Sequence, residues 1–148
     1  TLLGGGGVDG AIHREAGPKL FKECRTLSGC RVGEAKITRG YCLKAPFVIH
    51  TVGPVWQGGV NNEAELLSNC YQNSLKLTER NNLRTIAFPA ISTGIYGYPK
   101  KEAAKVAIET VRKYLRKSKI EKVIFVLHSD NDFSIYNKLF RELQENII

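Results

Sequence analysis

The run Gly4-Gly5-Gly6-Gly7-Val8-Asp9-Gly10 is suited to chemistry on an anion. Glycines carry no Cβ, so the backbone can take positive φ and bring its N–H groups close to a phosphate. A helix beginning at Gly10 or Ala11 would add the positive end of its dipole, with Asp9 as N-cap and Ile12 as its first buried residue. Four successive glycines also suit a flexible linker. The Val-Asp-Gly-Ala-Ile-His that follows argues against one. A second cradle lies in Ala90 to Pro99, where Ser92 and Thr93 offer hydroxyls, Gly94 and Gly97 open the backbone, and Tyr96 supplies an aromatic wall. Two cradles suit a diphosphate. Neither is a Walker loop, because the glycine run lacks the Gly-Lys-Ser/Thr ending, so magnesium-dependent nucleotide hydrolysis is not supported. Nor does a strand precede the glycines, as the dinucleotide fingerprint requires.

The elements that must position these loops follow from periodicity. Residues 10–16 read as a short helix cut by Gly17-Pro18, and 18–27 as a second with Leu20, Phe21, Cys24 and Leu27 at helical spacing. Short strands fall at 34–38 and 47–52, read as neighbours joined through Gly40 to Pro46. Residues 63–80 carry Leu66, Leu67, Cys70, Tyr71, Leu75 and Leu77 with helical period. A buried-type strand at 85–89 leads into the second cradle. A basic amphipathic helix follows at 99–117, then a strand at 123–127 and a closing helix at 133–144. This alternation predicts an α/β domain with helices over a largely parallel sheet and ligands at the carboxyl ends of strands.

At 148 residues the chain reads as one domain able to bury a core. Its net charge of +8 favours an acidic or phosphate-bearing partner, RNA included. The lysines and arginines of the helix at 99–117 read first as a solvated face and second as a polyanion patch. Cys24, Cys30, Cys42 and Cys70 form no CxxC pair, which fits reduced thiols in a cytoplasmic protein; no zinc site, metal or cofactor is expected. Cys24 reads as helix core and not as a nucleophile, and His50 as packing within a strand. No apolar run approaches membrane-spanning length.

Taken together, these motifs resemble the macrodomain family in its MacroD-type branch. The likeness is carried, in order, by Leu2 to Gly10 with Ala11-Ile12-His13 and Ala16-Gly17, by Ala35-Lys36-Ile37-Thr38 with Gly40-Tyr41, by Val48 to Pro54, and by Ala90 to Pro99. The resemblance implies a three-layer α/β/α sandwich with a mixed, largely parallel sheet that binds ADP-ribose. It further implies a hydrolase that removes ADP-ribose from acidic side chains or acetyl from O-acetyl-ADP-ribose; a non-catalytic reader of ADP-ribose or poly-ADP-ribose is the alternative. On this pattern Asp9 is the catalytic acid beside the scissile ester, and His13 either orients it or is structural. Gly5, Gly6, Gly7, Val8, Gly10 and Ile12 take the ligand-binding positions of the first loop, and Ser92, Thr93, Gly94, Ile95 and Tyr96 those of the second. His128 or Phe133 would meet the adenine, Phe133 reading equally as helix core. ADP-ribosylated proteins are the implied partners and a monomer the implied state. Macrodomains carry one or two strands ahead of the glycine run, and the chain, which opens Thr1-Leu2-Leu3, is expected to be incomplete at that end.

Overall fold

The computed structural model describes residues 1–145. In chain order they form α1 (Gly7–Ala16), α2 (Pro18–Thr26), β1 (Ala35–Arg39), β2 (Phe47–Thr51), α3 (Glu63–Arg80), β3 (Thr85–Phe88), α4 (Lys100–Leu115), β4 (Lys122–Phe125) and α5 (Asp130–Glu145).

The first helix starts three residues ahead of Gly10. Extended Gly6 precedes it without a side-chain cap, and the Gly10 N–H reaches the Gly6 carbonyl at 3.2 Å. Asp9 is therefore a first-turn residue and not the N-cap, because the glycines themselves close the opening turn. Gly17, at φ 85°, separates α1 from α2, whose first residue is proline. Leu20 and Cys24 are buried on α2, but Phe21 is 39% exposed. One residue is about 100° of helical rotation, which carries Phe21 off the Leu20–Cys24 face.

β1 and β2 pair antiparallel, from Ala35 opposite Thr51 to Arg39 opposite Phe47. The connection closes through the Gly40 N–H to the Pro46 carbonyl at 2.8 Å. β3 and β4 pair in parallel, Thr85 opposite Lys122. The mixed sheet is thus present as two two-stranded pieces. The parallel share is smaller than the strand–helix rhythm predicts, because the β1–β2 connection is too short for a crossover. α3 packs against β1, β2 and β3, so one helix carries both pieces.

The larger core cluster joins Leu67, Tyr71 and Leu75 of α3 to Ala104, Ala107 and Ile108 of α4 and Phe88 of β3. Alanines let α4 approach α3 closely. The smaller cluster, Leu2, Ala16, Leu20 and Cys24, takes in Ile12 and Val52 at its edge. On α4, Lys101, Lys105 and Lys113 are exposed, a solvated face continued by Arg116 and Lys117 just past its end, while Lys100 reaches Asp132 at 2.9 Å. α5 begins earlier than residue 133 because the Ser129 hydroxyl accepts the Asp132 N–H at 3.1 Å, an N-cap. Phe133 then falls on the outer side of the first turn, 62% exposed, and is not a core residue.

The loop between β2 and α3 is held from below by Glu63, 1% exposed, whose carboxylate accepts the N–H groups of Gln57 at 2.9 Å, Gly59 at 2.7 Å and Asn61 at 2.5 Å. Burial pushes its pKa up, but these donors outweigh that and hold it below the ordinary glutamate range. A depressed folded pKa means that the carboxylate's share of stability is present above the unfolded value and drains as pH falls through the folded one. Thermal melts of Glu63→Gln should show a lower midpoint than wild type at pH 7, with the gap narrowing as pH drops below about 4.3. A gap independent of pH would show that the ionised carboxylate does not hold the loop.

Candidate functional site

The first loop offers open backbone. A Cβ at Gly5, Gly6 or Gly7 would meet nothing within 4 Å, and Gly7 sits at φ 61°. Val8 is 54% exposed. The leading N–H groups of α1 point out of the helix start without intrahelical acceptors, facing the space an anion would take. Gly10 has a different place: it is buried, and a Cβ there would collide with the Gly5 carbonyl oxygen. It folds the run back onto α1 and does not face the open surface. Ile12, placed by the sequence among ligand-binding positions, packs against the smaller core cluster.

Asp9 stands at the rim, its side chain 46% exposed, with His13 Nε2 3.5 Å from Oδ1. The same nitrogen lies 3.2 Å from the Leu2 carbonyl, to which it donates. Gly4 covers this ring, so closely that a Cβ would stand 3.3 Å from its Cδ2 and Cγ. His13 thereby ties the segment ahead of the glycines to α1. Deeper, His50 Nε2 lies 2.9 Å from Thr38 Oγ1 and 3.9 Å from Cys24 Sγ. Burial pushes the His50 pKa down, Asp9 opposing and His13 reinforcing, which keeps this imidazole neutral. Burial, and then Asp9 and Glu23, push the Cys24 thiol up, away from thiolate chemistry.

The second loop is a pair of turns closed on themselves: Gly97 N–H to Gly94 carbonyl at 3.0 Å and Tyr98 N–H to Ser92 carbonyl at 2.9 Å. Its hydroxyls are turned inward, contrary to the expectation that they would face a ligand. Thr93 donates to the Ala90 carbonyl at 2.8 Å. Ser92 Oγ is buried without a partner among the described residues, occupying the space that a Cβ on Gly53 would need. What remains outward is backbone, because the N–H groups of Gly94, Ile95 and Tyr96 meet no carbonyl among the described residues. Ile95 is fully exposed and Tyr96 40% exposed.

Both loops rest on the carboxyl end of β2. Val52 packs on the cluster under the first loop, and Gly53 abuts Ser92 and Ile91 under the second. Gly53 lies in the Val48 to Pro54 motif, but its supporting role depends on Ser92 and Ile91, partners distant in sequence. His128 and Phe133 lie beyond β4, both exposed. Among the described residues no three His, Cys, Asp or Glu side chains converge as metal ligands.

An α/β domain with two outward backbone cradles resting on one strand end, and a carboxylate–histidine pair at the rim of one, has the donor arrangement that suits an anion. Comparison with known proteins assigns its family. The Macro domain model matches residues 1–107, and the chain belongs to the macro domain family. It is 66% identical over 139 residues to the Macro domain-containing protein CT2219 of Chlorobaculum tepidum, covering 93% of this chain and 81% of that one. It is 54% identical over 145 residues to the ADP-ribose glycohydrolase MACROD2 of Mus musculus, covering 96% of this chain and 30% of that one. The Oceanobacillus iheyensis macrodomain with ADP superposes with a TM-score of 0.94 at 45% identity, covering 98% of this chain and 80% of that one.

Close packing at Gly10 and open space at Gly6 set up a contrast. Gly10→Ala should destabilise the domain by about 1–3 kcal/mol in urea unfolding, the cost of overpacking against backbone. Gly6→Ala should stay within about 0.5 kcal/mol of wild type. Equal effects at the two positions would contradict the packing described here.

Proposed function

We propose that this domain binds ADP-ribose across its two loops and hydrolyses the ester between the terminal ribose and an acidic side chain or an acetyl group. The observation that carries the reading is the position of Asp9, half-exposed at the edge of the glycine cradle and 3.5 Å from a histidine anchored to Leu2. The free N–H groups of Gly5 to Val8 and of Gly94 to Tyr96 hold the diphosphate as fixed dipoles, at no cost in rearrangement. Asp9 accepts a proton from the attacking water or orients it against the ester carbon. His13 is a positioning residue that sets the carboxylate's direction through the Nε2 contact. Ser92 and Thr93 contribute loop shape and no side-chain donors. Of the two adenine candidates, Phe133 is the better placed, since its ring is not used by the core.

The inward turn of the second loop's hydroxyls favours one further reading, a binding module without turnover, because it leaves that loop backbone donors suited to holding an anion. The MACROD2 name supports the hydrolase. Asp9→Ala should bind ADP-ribose at least as tightly as wild type by calorimetry, the carboxylate's repulsion being gone, while losing about 10²–10⁴-fold in release of ADP-ribose from an automodified acceptor protein. If wild type and variant bind alike and neither releases ADP-ribose, the domain is a reader.

A further inference from the structure

The chain's positive charge is gathered at one end of the fold. Residues 76–84 and 112–122 carry nine lysines and arginines against two glutamates, which is +7 of the net +8 and leaves +1 for everything else. These two stretches meet in space. Glu79, near the end of α3, accepts the Tyr114 hydroxyl at 3.0 Å, the Lys119 N–H at 3.1 Å and the Ser118 hydroxyl. The Glu121 N–H donates to the Arg84 carbonyl at 2.7 Å, where β3 and β4 start side by side. α5 ends alongside, Leu143 lining one groove with Leu115, and its Lys138 and Arg141 are balanced by Glu142 and Glu145. The second loop follows the carboxyl end of β3, at the other end of the same strands.

All nine cations but the half-buried Arg112 are exposed, and among the described residues only Arg84 is ion-paired, to Glu121 at 3.1 Å. A solvated helix face does not need this arrangement. In its first turns α4 mixes signs, Lys101 and Lys105 with Glu102 and Glu109, whereas from Arg112 to Lys119 the chain carries cations and no acid. Lys76 and Arg80, Arg112 and Arg116, and Lys113 and Lys117 stand one turn apart, a spacing at which like charges repel. The C-terminal dipoles of α3 and α4 offset roughly half a charge each. Most of the excess is left facing water, and a concentrated positive field of this kind suits a polyanion.

We infer that this pole docks the phosphate backbone of double-stranded nucleic acid, independently of base sequence and apart from the cradle. The inference does not depend on the ADP-ribose reading. The surface itself selects among polyanions. None of the exposed large apolar side chains of the described residues belongs to either stretch, so the pole has nothing to insert into a lipid bilayer. Its one aromatic ring, Tyr114, is half-buried with its hydroxyl committed to Glu79, which leaves no platform for stacking the bases of a single strand. Phosphates repeated along a duplex require only cations.

The test uses the whole chain, with fluorescence anisotropy for duplex DNA and duplex RNA of about 20 base pairs and for the matching single strand, and cosedimentation for phosphatidylserine vesicles. Wild type should bind a duplex, its affinity falling about 10²-fold between about 50 and 200 mM salt, as about four phosphate contacts require. Arg116→Gln with Lys117→Gln and Lys119→Gln should weaken binding at least about tenfold and flatten the salt slope by about one per substitution. Lys22→Gln with Lys101→Gln and Lys105→Gln removes equal charge elsewhere and should change binding by less than about twofold. All six side chains are exposed, so both variants should melt as wild type does. Saturating ADP-ribose should leave duplex binding in place. Tighter binding of either the DNA or the RNA duplex supports the surface and names its source. Equal losses in the two variants, a single strand bound as tightly as duplex, or vesicles captured in place of duplex each overturn the inference. Displacement of duplex by ADP-ribose also overturns it and leaves the ADP-ribose reading standing.

Discussion

The site depends on one close approach, that of Gly53 to Ser92 and Ile91. Alternation along a strand sends successive residues to opposite faces, so Val52 and Gly53 support different loops from adjacent positions. Val52 meets the cluster that contains Leu2, and Gly53 leaves room for the Ser92 hydroxyl and for Ile91 Cγ2, 2.7 Å from where a Cβ would be. The approach has a cost. Ser92 takes a left-handed φ of 67°, and its buried hydroxyl has no partner among the described residues. Such strain persists only where the surroundings over-determine it. Here the Tyr98 N–H on the Ser92 carbonyl and the Thr93 hydroxyl on the Ala90 carbonyl do so.

From that approach follows the division of labour between backbone and side chain. With Ser92 and Thr93 directed inward, the second loop presents peptide N–H groups, which carry no charge and do not rotate, beside the exposed Ile95 and Tyr96 side chains. The first loop presents the same groups with a helix behind them. Two sets of fixed dipoles supported by one strand end are preorganised relative to each other, because neither can move without disturbing Val52 or Gly53. The titratable groups lie at the edge of this arrangement, Asp9 outermost, then His13, then His50 kept neutral in the interior by burial.

Much of the fold was legible where hydrophobic period was strong. α3 ends where the sequence places it, since Leu67, Cys70, Tyr71 and Leu75 repeat with helical spacing and Asn81-Asn82 stops the run. The neighbouring of β1 and β2 was also legible from the short connection, although their direction shifts the sheet away from parallel. The start of α1 was not, because glycine's low helix propensity conceals a helix that begins inside a glycine run. Ser129 was a readable cap three residues ahead of Asp132 that the apolar pattern overshadowed. At the site, residue types pointed to the two loops, but side-chain direction did not follow from type. Where the Ser92 hydroxyl points is decided by Gly53, and where Ile12 points by Leu2 and Leu20, none of which periodicity connects.

The placement of Asp9 bears on whether such a domain only binds. A carboxylate beside a phosphate cradle repels the anion that the cradle attracts, by an amount that grows as water is excluded. A domain selected only for affinity would do better with a neutral residue there. Two structural uses could offset the repulsion. Capping α1 is not one of them, since Gly6 holds that position and no side chain caps the helix. Interaction with the helix dipole is the other, about 0.3–1 kcal/mol for an exposed first-turn acid. That gain is available to an acid anywhere in the turn and does not require one at the cradle's edge, directed toward a histidine that is itself fastened to Leu2. Under the hydrolase reading proposed above, the repulsion is offset by proton transfer at the bond next to the phosphates, which a carboxylate at that edge can perform.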